Sequence, residues 1–122
     1  TYVVAGQEMK ERNLDEVIIL NEQGQLSETH LGNLFWITDE QLFTPKLTTG
    51  CIEGVMRSFI IDCCEGHGIN IETVECNESV LKRADSIFSS NASGITFFQH
   101  FHSKLTTSSQ LLSPLLKRLQ QP

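Results

Sequence analysis

The chain lacks any basic stripe. Its 9 Lys and Arg stand against 15 Asp and Glu, a formal net charge of −6. Without clustered cations it has nothing to set against a phosphate backbone, which excludes nucleic acid as a partner. It lacks an apolar run long enough to span a membrane and a basic-then-apolar N-terminal segment of the signal-peptide kind, so a cytoplasmic protein is expected. It lacks a C-x-x-C pair. Cys51, Cys63, Cys64 and Cys76 include two sequence neighbours inside a helical pattern and read as reduced, mostly buried thiols, not a disulfide framework. His100-x-His102, His67 and the cysteine pair have no zinc-site spacing, so no metal is expected. No G-x-S-x-G elbow supports serine hydrolysis, and there are no internal repeats. What remains is a single domain of 122 residues with an ordinary globular balance, 39 % hydrophobic and 20 % charged, and small for a complete enzyme.

The pattern along the chain is mixed α/β. Residues 2–12 read as a helix, with Tyr2, Ala5 and Met9 on one face. The chain would then begin inside a helix without its cap, although removal of an initiator Met would also leave Thr1 first. Val17 to Leu20 is an apolar run rich in β-branched residues. A turn at Asn21–Gly24 brings back Gln25 to Glu28 as its hairpin partner. Asn33 to Thr38 and Gln41 to Pro45 form a second hairpin about Asp39-Glu40, stopped by Pro45. Val55 to His67 is the strongest helix, with Val55, Phe59, Ile60 and Cys63 predicted as its buried stripe and Gly66 and Gly68 as its end. A strand over Ile69–Thr73, a short helix over Glu78–Arg83 capped by Asn77, and strands "SIFSS" and "ITFF" about Asn91–Gly94 follow. "HSKLTTSSQ" reads as a loop. Ser113-Pro114 starts a last helix with Leu112, Leu115, Leu116 and Leu119 on its apolar face. Phe35, Trp36 and Phe43 read as core and interface residues instead of a stacking platform.

Three loops carry residues able to do chemistry. Ser27-Glu28 closes a hairpin strand, a place where a carboxylate is usually just solvated. "TTGCIEGVMRSFII" (Thr48–Ile61) puts Gly54 at a helix start, where bare N–H groups and the helix dipole favour an anion, while Glu53 opposes one unless it points away. Arg57 lies in the first helical turn and suits a bracing role, by a salt bridge, at least as well as a direct one. "SSNASG" (Ser89–Gly94) follows a strand with hydroxyls and a carboxamide, enough to complete an anion site or merely to turn. Together, a carboxylate, a bare helix start and a Ser/Asn loop suit an aromatic nitrogen and its phosphate.

The order "LDEVIILNEQGQLSET…GNLFWI…LFTPKLTTGCIEGVMRSFI…ADSIFSSNASGI" resembles the C-terminal half of class IV, pyridoxal-phosphate-dependent aminotransferases. That family includes branched-chain and D-amino-acid aminotransferases and aminodeoxychorismate lyases. The likeness runs from about Ala5 to Ile95 and implies the large domain of the D-amino-acid aminotransferase-like fold, with pyridoxal 5′-phosphate as cofactor. By that resemblance Glu28 faces the pyridine nitrogen. Gly54, Val55 and Met56 supply backbone amides to the phosphate, and Asn91 and Ala92 form a second phosphate or substrate loop. Two positions depart from the common pattern: Met56 and Ala92 stand where Thr is frequent, which shifts phosphate binding toward backbone N–H groups and Asn91 or Ser90. "GVMR" and "SNASG" lean toward the lyases.

The resemblance also implies an absence. By the resemblance, the family's catalytic Schiff-base lysine falls just upstream of Thr1, and none of Lys10, Lys46, Lys82, Lys104 or Lys117 occupies its motif position. The smaller N-terminal domain is likewise expected to lie outside these 122 residues. The expected function is amino-group transfer between an amino acid and a 2-oxo acid, or aminodeoxychorismate lysis. This chain would be the cofactor-binding domain of a homodimer, inactive alone. The competing reading is a stand-alone, non-catalytic remnant acting as an interaction module.

Overall fold

The computed structural model describes residues 2–4, 17–98, 100–101 and 104–105. Its main sheet has five strands: β4 (Asn33–Thr38), β5 (Gln41–Pro45), β6 (Ile71–Val74), β7 (Ser86–Asn91) and β8 (Gly94–Phe97), in the order β6-β5-β4-β7-β8. Only β5 and β6 run parallel, joined by the crossover helix α1 (Val55–Gly66); the other pairs are antiparallel. A three-stranded sheet, β1 (Tyr2–Val4), β2 (Ile18–Leu20) and β3 (Leu26–Thr29), and a two-stranded ribbon, β9 (His100–Phe101) and β10 (Lys104–Leu105), complete the described strands; Leu47–Thr49 and Glu78–Arg83 are 3₁₀ turns.

Strand β4 is central, and its sequence shows why. "NLFWI" is apolar on both faces because both faces are covered. Phe35 and Ile37 join Leu42, Phe88, Ile60, Cys63, Cys64 and Ile69 in the core beneath α1. Leu34 and Trp36 point the other way, into a second core with Ile18, Leu26, Leu81, Ala84 and Ile87. The main sheet is thus a middle layer between α1 on one side and the β2–β3 hairpin with the Glu78–Arg83 3₁₀ turn on the other. Phe35 stacks on Phe88 across β4 and β7 at 4.9 Å between ring centroids, and Trp36 stacks on Phe43 at 5.7 Å. Phe35 and Trp36 are core residues, and Phe43 packs half-buried against the second core.

Both hairpins form where the sequence places them, and Asn77 caps the 3₁₀ turn by accepting from the Ser79 N–H at 2.9 Å. Cys51, Cys63 and Cys64 are buried free thiols; Cys76 is free and half-buried. Three expectations fail. Residues 2–4 are a strand, not the start of a helix: Tyr2, Val3 and Val4 pair antiparallel with Leu20, Ile19 and Ile18. An aromatic followed by two β-branched residues suits a sheet edge, and pairing with β2 overrides a weak helical spacing. Ala5 and Met9 lie outside the described residues.

The stripe of α1 is also displaced. Arg57, Ile60, Cys63 and Cys64 are buried, whereas Val55 is 89 % and Phe59 39 % exposed. Residues 59–61 are all apolar, and at about 100° per residue the choice among them rotates the buried face by a quarter turn or more. Finally, Lys104–Leu105 pairs with His100–Phe101 where a loop is expected. The expected last helix, about Ser113–Leu119, lies outside the described residues.

Candidate functional site

At one end of the main sheet the loop Gly50–Gly54 leads into α1, and Ile52 in that loop is held at both backbone atoms. Its N–H donates to Glu28 Oε1 at 3.0 Å, and its carbonyl accepts from Asn33 Nδ2 at 2.7 Å. Glu28 is half-buried on β3; Asn33, the first residue of β4, is 6 % exposed. Two side chains from different sheets therefore clamp one residue, two positions before the helix cap. Among the described residues Glu28 accepts through Oε1, and Oε2 has no hydrogen-bond partner.

The helix start is bare. Gly54 occupies the N-cap with φ −69° and ψ 148°, and no side chain caps α1. The first intrahelical bond runs from the Ser58 N–H to the Gly54 carbonyl at 3.1 Å. Helix geometry leaves the N–H groups of Val55, Met56 and Arg57 without intrahelical acceptors. An extended φ is open to any residue, so Gly54 is not there for backbone freedom. A Cβ at this position would overlap Asn33 Oδ1. The glycine lets the helix start approach β4 closely, and the amides are uncapped because no side chain caps the helix.

The β7–β8 turn borders the same end. Asn33 and Ser90 are register partners in β4 and β7, and a Cβ on Gly32 would overlap the Ser90 carbonyl. Asn91 Nδ2 donates to the Leu31 carbonyl at 2.9 Å, while its Oδ1 accepts from the Ser93 N–H at 2.8 Å. Both polar ends of Asn91 are thus engaged in bracing two loops. Ala92 is exposed at the tip of the turn. Ser90 is buried, and its hydroxyl has no hydrogen-bond partner.

Glu28, Gly54, Val55 and Met56 are therefore brought together through Ile52, and Asn91 joins the neighbouring β3–β4 loop through Leu31, while Ala92 follows it at the exposed tip of the turn. Sequence reasoning passed over Asn33; the only signal was a polar residue opening an otherwise apolar central strand. Arg57 braces the loop, but through a hydrogen bond from Nη2 to the Pro45 carbonyl at 3.1 Å and not through the expected salt bridge. The carbonyl suits a guanidinium that is 5 % exposed, since it satisfies a donor without burying a second charge. Lys46 and Lys82 are exposed. Among the described residues no group of three His, Cys, Asp or Glu is placed to hold a metal ion, and no helix is long and apolar enough to cross a membrane.

A family model for amino-transferase class IV matches residues 1–100. The aminodeoxychorismate lyase of Vibrio harveyi is 30 % identical over 90 residues, 74 % of this chain and 33 % of that enzyme. The branched-chain-amino-acid aminotransferase of Escherichia coli K12 is 30 % identical over 120 residues, 98 % of this chain and 38 % of that enzyme. The chain therefore spans between a third and two fifths of the length of these two curated relatives. Among solved structures, the Escherichia coli branched-chain amino acid aminotransferase superposes with a TM-score of 0.79 at 30 % identity, covering 97 % of this chain and 40 % of its own. The branched-chain aminotransferase of Thermoproteus uzoniensis gives a TM-score of 0.86 at 26 % identity, over 95 % of this chain and 39 % of that one.

Proposed function

We propose that this chain, which belongs to the class IV aminotransferase family, forms the pyridoxal-phosphate cradle of an enzyme acting at the amino-bearing carbon of its substrate. Its mixed α/β fold is the one these enzymes share over about two fifths of their length. The reaction is either transfer of the amino group to a 2-oxo acid or release of pyruvate from aminodeoxychorismate. The "GVMR" and "SNASG" forms, similar to those of the lyases, favour the lyase. The observation that carries the reading is the clamp on Ile52, which ties a carboxylate and an uncapped helix start to one loop.

The residues present suit that cofactor. Three N–H groups at the start of a 12-residue helix form a donor set for a phosphate, and the dipole adds to it. Glu28 offers Oε2 to a protonated ring nitrogen and is oriented by the Ile52 N–H. When bound, pyridoxal phosphate supplies an electron sink for charge left at the substrate carbon. Glu28 serves that sink by holding the proton on the ring nitrogen. Val55, Met56 and Arg57 amides fix the phosphate, and Asn91 keeps the Leu31 and Ala92 loops against the site. Gly54 acts indirectly, by admitting Asn33.

The same reading extends to a companion N-terminal domain, a homodimer and a cytoplasmic setting. Its support is the family and the share of each relative that the chain covers. An interaction module without catalysis finds no support among these relatives, whose names are those of enzymes.

The test is an absorbance titration of the purified chain with pyridoxal 5′-phosphate, followed by borohydride reduction and intact-mass measurement. We expect saturable binding of one molecule per chain, displaced by inorganic phosphate, with no stoichiometric reduced adduct. Absence of saturable binding would overturn the cradle. An adduct on a single lysine would place the covalent link within this chain.

A further inference from the structure

Among the described residues, the starts of α1 and of the Glu78–Arg83 turn treat charge in opposite ways. The Glu78–Arg83 turn has Asn77 as a side-chain cap, Glu78 in its first turn and Lys82 and Arg83 in its last, each matched to the local dipole. Helix α1 has no capping side chain and no acid in its first turn. It carries Arg57 there, 5 % exposed, with Nε lacking any hydrogen-bond partner. A guanidinium has five N–H donors; the Pro45 carbonyl accepts from one nitrogen, Nη2. That carbonyl also lies 3.9 Å from Cys51 Sγ, which puts the guanidinium beneath the loop leading into α1, at the positive end of the helix. The nearby carboxylates do not neutralise it. Glu28 is turned to the Ile52 N–H, Glu53 is exposed, and among the described residues Arg57 has no acidic partner.

A cation buried without a counter-charge is unfavourable, and more so where a helix dipole already adds positive potential. Both are relieved together by an anion on the outer side of the same helix turn. We infer that Arg57 is the buried counter-charge for a phosphate monoester dianion held by the N–H groups of Val55, Met56 and Arg57. The inference rests on the phosphate reading of that helix start and adds a residue to it. Arg57 acts through the field, not by contact, since the side chain is 5 % exposed and its Nη2 is turned to the Pro45 carbonyl. It thereby sets the preference for a phosphorylated ligand over the same ligand without phosphate.

The experiment compares dissociation constants for pyridoxal 5′-phosphate and pyridoxal in the wild-type chain, Arg57→Met and Arg57→Lys. A field effect on a dianion predicts that Arg57→Met weakens the phosphorylated ligand by about tenfold or more, leaves pyridoxal within about twofold, and so collapses the ratio. Arg57→Lys, which keeps the charge, should hold the ratio within about threefold of wild type. Equal weakening of both ligands, or no change in either, would overturn the role of Arg57 while leaving the phosphate site standing. Failure of the wild-type chain to bind pyridoxal 5′-phosphate or inorganic phosphate overturns the phosphate reading itself. Should Arg57→Met not fold, the wild-type Arg57 Nε–H resonance decides during an inorganic phosphate titration. It should shift with the same dissociation constant as binding; a stationary signal overturns the inference.

Discussion

A methyl group at position 54 would overlap the side-chain oxygen of Asn33, and that oxygen belongs to the amide that holds the Ile52 carbonyl. The conflict therefore strikes the clamp and not empty space. Gly54→Ala is expected to destabilise the chain by about 1–3 kcal/mol, the usual range for overfilling a packed site. It should also weaken pyridoxal 5′-phosphate binding, because Asn33 must move and release Ile52. Denaturant midpoints combined with the absorbance titration check both; a variant with wild-type stability and affinity would show that Asn33 has room to yield. Gly32 is under a harder constraint, since the atom opposing its Cβ is the Ser90 backbone carbonyl. At this scale the sequence revealed which residue types stood in the three loops. It did not reveal that the glycine answers to Asn33, because contact between residues 33 and 54 is a product of folding.

The β4–β5 hairpin shows an element meeting its geometry with unhelpful residues. Asp39 and Glu40 both take positive φ, 50° and 65°, as a two-residue turn between right-twisted strands requires. Asp39 has help, since its N–H donates to Asp85 Oδ2 at 3.0 Å. Among the described residues Glu40 has no comparable support, and it carries a Cβ where glycine fits best. Glu40→Gly is expected to stabilise the chain by about 1 kcal/mol, the lower end of the left-handed penalty for a non-glycine residue. A higher thermal midpoint would be the sign of it, and a lower one would mean that the turn is unstrained. Element boundaries were legible here and in β2–β3 because turn residues interrupt β-branched runs. The buried face of α1 was not, since "FII" offers three apolar choices and only the sheet beneath selects among them. Residues 2–4 were misread for a related reason: a short segment takes the structure of its partner, here β2.

Across the whole molecule, α1 and the β2–β3 layer enclose the main sheet, and Cys64 lies at the helix–sheet junction with no exposure. Burial, then the neighbouring Cys63 and Glu65, pushes its thiol up from 9.0 to about 11. The folded state therefore holds its proton where the unfolded chain would release it. Stability from this group is complete below about pH 9 and is lost as pH rises toward 11. Urea midpoints measured from pH 8 upward should fall through that window, and Cys64→Ala should flatten the slope there. An unchanged slope in the variant would assign the alkaline loss to other groups. Cys76, raised by burial as well, contributes in the same direction and remains in the variant as a smaller slope.

Composition and local pattern determined the class of this protein: an acidic, mixed α/β chain with two hairpins, a glycine-fronted helix and the ordered motifs of the class IV aminotransferases. Those features depend on short-range rules, namely turn chemistry, alternation and capping, which act between residues close in sequence. Tertiary structure decided the rest. It joined Glu28 and Asn33 to Ile52, drew Gly54 against Asn33, engaged both ends of Asn91, and left Arg57 buried at the positive end of α1 with no acidic partner among the described residues. Each of those outcomes requires two or more strands to meet at one end of a sheet, and an amino-acid sequence states no distance between them.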